Sequence, residues 1–238
     1  MTDVDLFEEE AEALERAKSV LSSGTDDFAR YRAALEELMQ HYGQLMRQSR
    51  RLISRSDRTE RELNLLNARL KQLSDELEYK ARHDNLTGAL NRGAVFDSAH
   101  RILEQSAMSV IVLDIDFFKR INDEFGHPTG DAVIRELVNR LRVALDGVGL
   151  IGRVGGEEFS ILLADMPLDE AVLHAERIRH AIAGEAFPCL PSRPVTSSFG
   201  VSWSAAGGDF EDAYARADQA LYEAKRGGRN RVERESAA

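Results

Sequence analysis

The chain has 238 residues, a hydrophobic fraction of 43% and a formal net charge of −10 at pH 7. This length predicts one or two domains, and the acidic balance argues against a nucleic acid or an anionic membrane as the main partner, because both need basic protein surface. The single cysteine, Cys189, excludes an intramolecular disulfide and a cysteine-rich zinc site.

The sequence predicts no targeting or membrane-spanning segment. Residues 1–5, MTDVD, lack the basic start and the apolar core of a signal peptide. No apolar run along the chain is long enough to span a bilayer. We therefore expect a cytoplasmic protein without membrane insertion, in a compartment where nucleotides and magnesium are available.

Two helices are predicted at the start of the chain. Residues 5–22 carry apolar side chains at helical spacing, and residues 22–24 (SSG) end that helix. A second amphipathic face runs from Phe28 to Met46. The simplest interpretation is a helical hairpin.

The pattern then narrows to a leucine seam that is typical of a coiled coil. Five leucines follow a 3-4-3-4 spacing: Leu63, Leu66, Leu70, Leu73 and Leu77. Further back, the same register has Ser49, Ser56 and Thr59 in the seam, which weakens the coil there. No proline or glycine interrupts residues 44–87, so one long helix is expected. An ordinary helix packed on its own domain is the alternative.

Strands and helices alternate after this all-α stalk of residues 1–82, which predicts a second domain over residues 83–235. The predicted elements are a helix around 95–102, a buried strand over 110–116, a helix through 133–141, a hairpin around 150–163, a helix over 168–183, a strand over 195–203, a helix over 210–225 and a short strand over 230–233. One sheet with a single antiparallel hairpin indicates an α+β fold, a ferredoxin-like α/β sandwich.

The hairpin contains the segment GGEEF at residues 155–159. Short apolar runs flank its glycine pair, which predicts a β-hairpin with two adjacent carboxylates, Glu157 and Glu158, at the tip. Neighbouring strand residues point to opposite faces, so we expect the two glutamates to have different roles. A solvated hairpin tip is the alternative for this segment taken alone.

A further carboxylate, Asp114, stands at the end of the buried strand. The two central strands of a ferredoxin-like sheet are neighbours, so Asp114 and Glu157 are expected to face each other at one end of the sheet. Two carboxylates and a main-chain carbonyl form an oxygen site suited to Mg²⁺, which also takes phosphates and water as ligands. Two such ions can flank an in-line phosphoryl transfer. The alternatives are a strand terminator at Asp114 and a solvated tip at Glu157.

Residues 83–230 resemble the GGDEF domain, the family of diguanylate cyclases, in motifs that follow one another through the whole second domain. The matching segments are DNLTG at 84–88 with Asn91 and Arg92, DIDFFK at 114–119 with Asn122 and Asp123, FGH at 125–127 with Gly130 and Asp131, Arg153 with GGEEF at 155–159, and Asp218 with ALY at 220–222, AK at 224–225 and GRN at 228–230. The resemblance implies an enzyme that joins two GTP molecules into cyclic di-GMP and releases two pyrophosphates.

The same resemblance implies roles for single residues. The groups implied to bind metal are Asp114, the carbonyl of Ile115, Glu157 and the adjacent Glu158. They would hold two Mg²⁺ ions per site, or Mn²⁺ in their place. Glu157 would also be the base for the ribose 3′-hydroxyl, and Lys119 would stabilise charge in the transition state. The implied substrate-binding groups are the backbone N–H groups of Phe117 and Phe118, the guanine-reading side chains of Asn122 and Asp131, and His127, Lys225 and Arg229. Taken alone, residues 225–229 are equally typical of a solvated helix end.

The sequence departs from the family pattern at two places. Glu157 stands where an aspartate is usual, which keeps the negative charge. The family's inhibitory product site is an Arg-x-x-Asp motif, and its positions hold Asp146 and Gly149 here. The loss of both side chains argues against product feedback through that site.

A cyclic dinucleotide needs two GTP-loaded sites that face each other, so the resemblance implies a two-fold homodimer through the stalk. The coiled coil would hold two catalytic domains at a high effective concentration, and its register over residues 45–80 would switch activity. The N-terminal helices contain no recognisable sensor motif and are expected to bind a small regulatory protein. The short helical stalk resembles that of the SiaD-type cyclases, which a small partner protein activates.

The main alternative is a degenerate GGDEF module that binds GTP or cyclic di-GMP and signals without catalysis. Such modules usually lose a metal carboxylate or the hairpin glycines, whereas Asp114, Lys119, Lys225 and both hairpin glycines are present here. A coiled-coil scaffold would leave the aligned polar residues unexplained. The sequence therefore favours catalysis.

Overall fold

The computed structural model describes residues 7–24 and 27–236. The chain forms two compact units that divide between Ser74 and Asp75, within the second helix. The predicted domain boundary after residue 82, at the end of that helix, stays a prediction. Within the described ranges, no helix is both long enough and apolar enough to cross a bilayer.

The first unit contains α1 (Glu8–Ser22) and most of α2 (Phe28–Arg82). The predicted helical hairpin is confirmed, since Arg16 of α1 forms an ion pair with Glu37 of α2 at a nitrogen–oxygen distance of 2.8 Å. Ala13 is buried between these helices. The predicted start of the first helix at residue 5 lies outside the described residues.

The leucine seam lies on α2, which continues without a break to Arg82 as predicted. No residue of α2 is buried in the single chain. The five seam leucines range from 39% exposed at Leu73 to 67% exposed at Leu77. An ordinary helix packed on its own domain would bury its apolar face. These exposures are consistent with the predicted coiled coil, and its pairing with a second chain stays a prediction.

The second unit is built on a six-stranded sheet with the order β1-β3-β4-β2-β5-β6. The strands are β1 (Leu90–Asn91), β2 (Met108–Ile115), β3 (Leu150–Arg153), β4 (Glu158–Ala164), β5 (Ser197–Ser204) and β6 (Val232–Arg234). The four inner strands have the ferredoxin-like order with β2 and β4 antiparallel at the centre, which confirms the predicted fold. The outer strands β1 and β6 run parallel to their neighbours.

Helices cover both faces of this sheet. They are α3 (Arg92–Leu103), α4 (Phe118–Phe125), α5 (His127–Leu145), α6 (Leu168–Ala183) and α7 (Phe210–Arg226). Strand β2 is buried along its whole length and alternates its side chains between two cores. Ile111 and Leu113 pack in the core with α5 and α6, and Val110 and Val112 pack in the core with α3 and α7. By this alternation, Asp114 belongs to the face that α3 and α7 cover.

The predicted elements are present with small shifts at their ends. Helix α6 has the predicted bounds, while β5 begins at Ser197 instead of residue 195 and the last strand is Val232–Arg234 instead of 230–233. Two elements were not predicted, the short helix α4 directly after β2 and the two-residue strand β1. Strand β1 forms because Leu90 pairs with Gly152, which lies far along the chain. A local sequence pattern cannot predict such a pairing.

Strand β5 and helix α7 approach each other closely at Gly200. A Cβ atom added at Gly200 would collide with two backbone atoms of α7, the Ala217 oxygen and the Leu221 nitrogen. Backbone atoms of a helix cannot rotate away as a side chain can. Glycine is therefore required here because the two backbones leave no room for a methyl group.

We expect Gly200→Ala to lower the free energy of unfolding by about 1–3 kcal/mol or more, because the added methyl group overpacks the contact. Gly93→Ala in α3 is the matched control, since its methyl group would lie 3.6 Å from Asn91 Oδ1, an ordinary contact. Chemical denaturation of both variants is the measurement. Equal unfolding free energies for the two variants would contradict the close approach.

Candidate active site

The carboxylates come together where the central strands β2 and β4 end. Asp114 lies directly opposite Glu158 in the antiparallel ladder, and the Ile115 N–H donates to the Glu157 carbonyl at 3.3 Å. The expected opposition of Asp114 and Glu157 is therefore wrong by one residue. The hairpin turn is the reason: the Gly155 N–H donates to the Glu158 carbonyl at 3.3 Å, which leaves Glu157 at the tip beyond the ladder of β3 and β4.

The two hairpin glycines have different surroundings. A Cβ atom at Gly155 would collide with Glu158 Oε2, whereas a Cβ atom at Gly156 would meet open space. The Glu158 side chain therefore folds back against the turn, and a larger residue at position 155 would displace its carboxylate. Glu157 and Glu158 are both half-buried, but one belongs to the tip and the other to the ladder.

Burial and like charge set the pKa values at this end of the sheet. Burial raises the pKa of Asp114, while the ammonium of Lys225, whose Nζ lies 3.0 Å from Asp114 Oδ2, opposes that rise. The neighbouring carboxylate of Glu158 raises it further. Burial also raises the pKa of Glu157, and the charge of Asp114 adds to that rise. Several carboxylates in a poorly solvated site favour a bound cation.

The donor set fits a hard cation such as Mg²⁺. Asp114 and Glu157 offer carboxylate oxygens, and Ile115 offers a backbone carbonyl next to Asp114 in the chain. Among the residues that the structure describes, no group of three or more His, Cys, Asp or Glu side chains is arranged to hold a metal ion. Mg²⁺ in nucleotide sites is usually bound by one or two carboxylates together with substrate phosphates and water, and two carboxylates and a carbonyl fit that pattern.

A turn after β2 brings the predicted phosphate-binding groups together. Phe117 has a left-handed φ of 58° and is the N-cap residue of α4. Phe118 is buried at the start of α4, and Lys119 is exposed in its first turn. The Arg229 guanidinium lies over the Phe117 ring, 4.3 Å from its centroid. Free N–H groups at a helix start, together with cationic side chains, favour a bound anion.

The predicted guanine-reading residues lie where α4 and α5 cross. A Cβ atom at Gly130 would collide with Asn122 Oδ1 and lie 3.1 Å from the Phe118 ring. Glycine therefore allows α4 and α5 to cross closely at Asn122. Asp131 directly follows Gly130 in the chain, and Asn122 and Asp131 are both half-buried. His127 is the exposed first residue of α5, so its role in nucleotide binding stays a prediction.

Arg153 fastens the hairpin tip, a role that its sequence motif alone does not predict. Its Nε and Nη2 donate to the Gly156 carbonyl at 3.2 and 2.7 Å, and its Nη1 lies 3.2 Å from both oxygens of Asp84. Burial acts to raise the pKa of Asp84, but hydrogen bonds from Thr87 and the charge of Arg153 outweigh it and lower that pKa. Both members of the pair stood in recognised motifs, and no other signal in the sequence links residues so far apart.

Comparison with known proteins finds the same domain. The family model for "Diguanylate cyclase, GGDEF domain" matches residues 81–231. The response regulator PleD of Caulobacter vibrioides is 40% identical over 158 residues, which are 63% of this chain and 35% of PleD. Diguanylate cyclase DgcM of Escherichia coli is 39% identical over 168 residues, which are 68% of this chain and 40% of DgcM. The chain thus spans less than half the length of these two relatives.

Two solved structures are similar over more than the sheet and its helices. The coiled coil and GGDEF domain of DgcB from Caulobacter crescentus, in complex with c-di-GMP, has a TM-score of 0.66 at 31% identity and covers 74% of this chain and 98% of that one. Diguanylate cyclase SiaD from Pseudomonas aeruginosa, in complex with its activator SiaC, has a TM-score of 0.62 at 31% identity. That match covers 95% of this chain and 85% of SiaD.

We expect Lys225→Met to raise the pKa of Asp114 further, because the substitution removes the ammonium that opposes the effect of burial. Arg226→Met, at the neighbouring and exposed position, is the matched control and should leave that pKa unchanged. Carbon-13 NMR titration of the Asp114 carboxyl group is the measurement. The same titration curve in both variants would mean that Lys225 does not face Asp114 in solution.

Proposed function

The chain belongs to the GGDEF family of diguanylate cyclases, and on that basis we propose that it condenses two molecules of GTP into cyclic di-GMP and two pyrophosphates. The observation that supports this most directly is the pair of poorly solvated carboxylates, Asp114 and Glu157, beside the Lys225 ammonium. Such a site combines carboxylates that can bind divalent cations with a positive charge that can bind a phosphate.

In the proposed reaction, Glu157 accepts the proton of the ribose 3′-hydroxyl that attacks the α-phosphate of the other GTP. Burial and the charge of Asp114 raise the pKa of Glu157, which makes this carboxylate a better proton acceptor near neutral pH. Asp114, the Ile115 carbonyl and Glu157, with Glu158 beside them, would hold two Mg²⁺ ions, which when bound neutralise charge on the triphosphate.

Positive groups around the Phe117 turn would bind the triphosphate. Arg229 lies over the Phe117 ring and would reach the phosphates together with the backbone N–H groups of Phe117 and Phe118. Lys225, whose Nζ lies 3.0 Å from Asp114 Oδ2, would bind a phosphate oxygen of the substrate. Lys119 would stabilise the charge that builds up in the transition state.

Asn122 and Asp131 would select guanine. Asp131 can accept hydrogen bonds from the ring N–H and the amino group of guanine, and adenine does not present donors in that pattern. The close crossing at Gly130 supports a joint role, because Asn122 packs against the glycine that directly precedes Asp131. His127, at the start of the same helix, would lie on the nucleotide side of α5.

The reaction requires a second copy of the chain. One site binds one GTP, and each GTP must present its 3′-hydroxyl to the other site, so a two-fold dimer is needed. The exposed leucines of α2 support a parallel coiled coil that brings two catalytic units together at a high effective concentration. Tightening or loosening that coil would change how often the two sites face each other.

The N-terminal helices are proposed to bind a small regulatory protein. A groove in the first unit exposes apolar surface of Phe7, Leu14, Leu38, Tyr42 and Leu45. The related SiaD is in complex with its activator SiaC, which supports a partner of this kind without identifying it. A cytoplasmic location, where GTP and magnesium are available, stays a prediction.

Product feedback at the family's usual turn is not expected. Gly149 has a φ of 85°, and a Cβ atom there would lie 2.6 Å from Leu163 Cδ2 and 2.7 Å from the Leu162 carbonyl oxygen. An aspartate at this position would be strained both by its backbone conformation and by lack of space. The arginine of the family motif is also absent, since Asp146 stands at that position.

We expect Glu157→Gln to lower GTP turnover by at least about 100-fold, because an amide neither accepts the proton nor supplies charge for the cation. Glu170→Gln, on the exposed side of α6, is the matched control and should keep full turnover. Cyclic di-GMP formation by the purified dimer in Mg²⁺ buffer is the measurement. A fully active Glu157→Gln would refute the assignment, and a parent protein that binds GTP without turnover would favour an inactive signalling module.

We expect Leu70→Asp to weaken dimerisation by about 100-fold or more, since a leucine buried in each seam is worth about 1.5–3 kcal/mol and the dimer contains two. Leu65→Asp is the matched control, because Leu65 is also exposed on α2 but lies outside the seam. Sedimentation and turnover would be measured over a range of protein concentrations. Leu70→Asp should recover turnover at high concentration, and equal behaviour of the two variants would exclude this seam.

A further inference from the structure

Asp116 directly follows β2, and the residue is only 5% exposed. Thr196 Oγ1 and Ser198 Oγ each donate to it at 2.7 Å, and the Asn230 N–H donates to it at 3.1 Å. The Asp116 N–H in turn donates to the Thr196 carbonyl at 2.9 Å. Asp116 therefore joins the end of β2 to the start of β5 and to the turn that follows α7.

The Asn230 N–H is the donor that depends most on Asp116. The two hydroxyl donors can rotate toward other groups, but a backbone N–H has one fixed direction. Arg229 and Asn230 both have left-handed φ values, of 65° and 45°, and non-glycine residues keep such values only where their surroundings hold them. Arg179 holds the other side of the turn, with Nη1 3.2 Å from Asn230 Oδ1 and 3.3 Å from its carbonyl oxygen.

This turn determines the position of Arg229. The Arg229 N–H donates to the Ala224 carbonyl at 3.0 Å, and its guanidinium lies 4.3 Å from the centroid of the Phe117 ring. Phe117 directly follows Asp116 and is itself left-handed. Asp116 thus lies between two strained turns, which together contain the groups that are proposed to bind phosphate.

We propose that Asp116 is a positioning residue for the triphosphate: its carboxylate holds the Asn230 N–H and thereby keeps Arg229 over Phe117. The proposal rests on the proposed use of GTP. It also separates two aspartates that look alike in the DIDFFK segment, with Asp114 facing Lys225 and the cation site and Asp116 facing β5 and the C-terminal turn. The three donors already use three of about four acceptor positions on the Asp116 carboxylate, which leaves it little capacity for a metal ion.

Asp116→Asn and Asp116→Ala form the test pair. The asparagine oxygen can still accept from the Asn230 N–H, while its amide group donates to the Ser198 hydroxyl, which can turn to accept. We expect Asp116→Asn to keep the KM for GTP within about threefold and to leave the Mg²⁺ dependence unchanged, and Asp116→Ala to raise KM about tenfold or more with little change in kcat. An Asp116→Asn enzyme as inactive as Asp114→Asn, with a shifted Mg²⁺ dependence, would overturn the proposal in favour of a metal ligand.

A double-mutant cycle with Arg229→Ala tests the route of the effect. If Asp116 acts through Arg229, Asp116→Ala should raise the KM for GTP by less than about twofold when it is introduced into the Arg229→Ala variant. Independent, multiplying effects of the two substitutions would overturn the proposal. Should Asp116→Ala fail to fold, Asp116→Ser takes its part in the cycle, because its hydroxyl is too short to reach the Asn230 N–H.

Hydrogen exchange at the Asn230 amide gives a readout that needs no turnover. Protection of this amide should be kept in Asp116→Asn and lost in the alanine or serine variant, while the amides of β2 and β4 stay protected. Unchanged protection in all variants would overturn the proposal. If the parent protein bound and converted no GTP at all, the proposed function would fall, whereas the exchange result would still decide whether Asp116 holds this turn.

Discussion

A carboxylate buried at the end of a central strand is the constraint on which the rest of this structure depends. Asp114 is 6% exposed and lies opposite Glu158, with Glu157 at the adjacent tip. Charge in such a place is stable only with a partner of opposite sign. Lys225 supplies one positive charge at 3.0 Å, and the neighbouring carboxylates are the groups that we propose to bind divalent cations.

The surrounding fold fixes the turns that border this site. Arg153 ties the hairpin tip, through the Gly156 carbonyl, to Asp84. Asp116 ties the end of β2 to the turn at Asn230. Both contacts are charge-assisted hydrogen bonds between segments that are distant in the chain, and such bonds are stronger and more directional than neutral ones. The groups that would meet the substrate are therefore held by the tertiary structure and not by their own backbone preferences.

The two units differ in how their apolar side chains are covered. The second unit has its own buried cores on both faces of the sheet, and needs no other chain to explain its packing. Helix α2 has no buried residue and exposes its leucine seam. Apolar surface in such a regular stripe is stable when a second helix covers it, which is the basis for the proposed pairing of two chains through the stalk.

The sequence by itself determined most of the helices and strands and the side chains that are available to the candidate site. Helical spacing gave the bounds of α6, the hairpin of α1 with α2 and the seam of α2, because these patterns are local and periodic. The motifs gave the family and the candidate residues from Asp114 to Arg229. Only the tertiary structure decided that Asp114 lies opposite Glu158, that β1 pairs with β3, and that Arg153 and Asp116 hold the turns. Register and long-range hydrogen bonds depend on how distant segments pack together, and a one-residue change in a turn alters them without changing any local pattern.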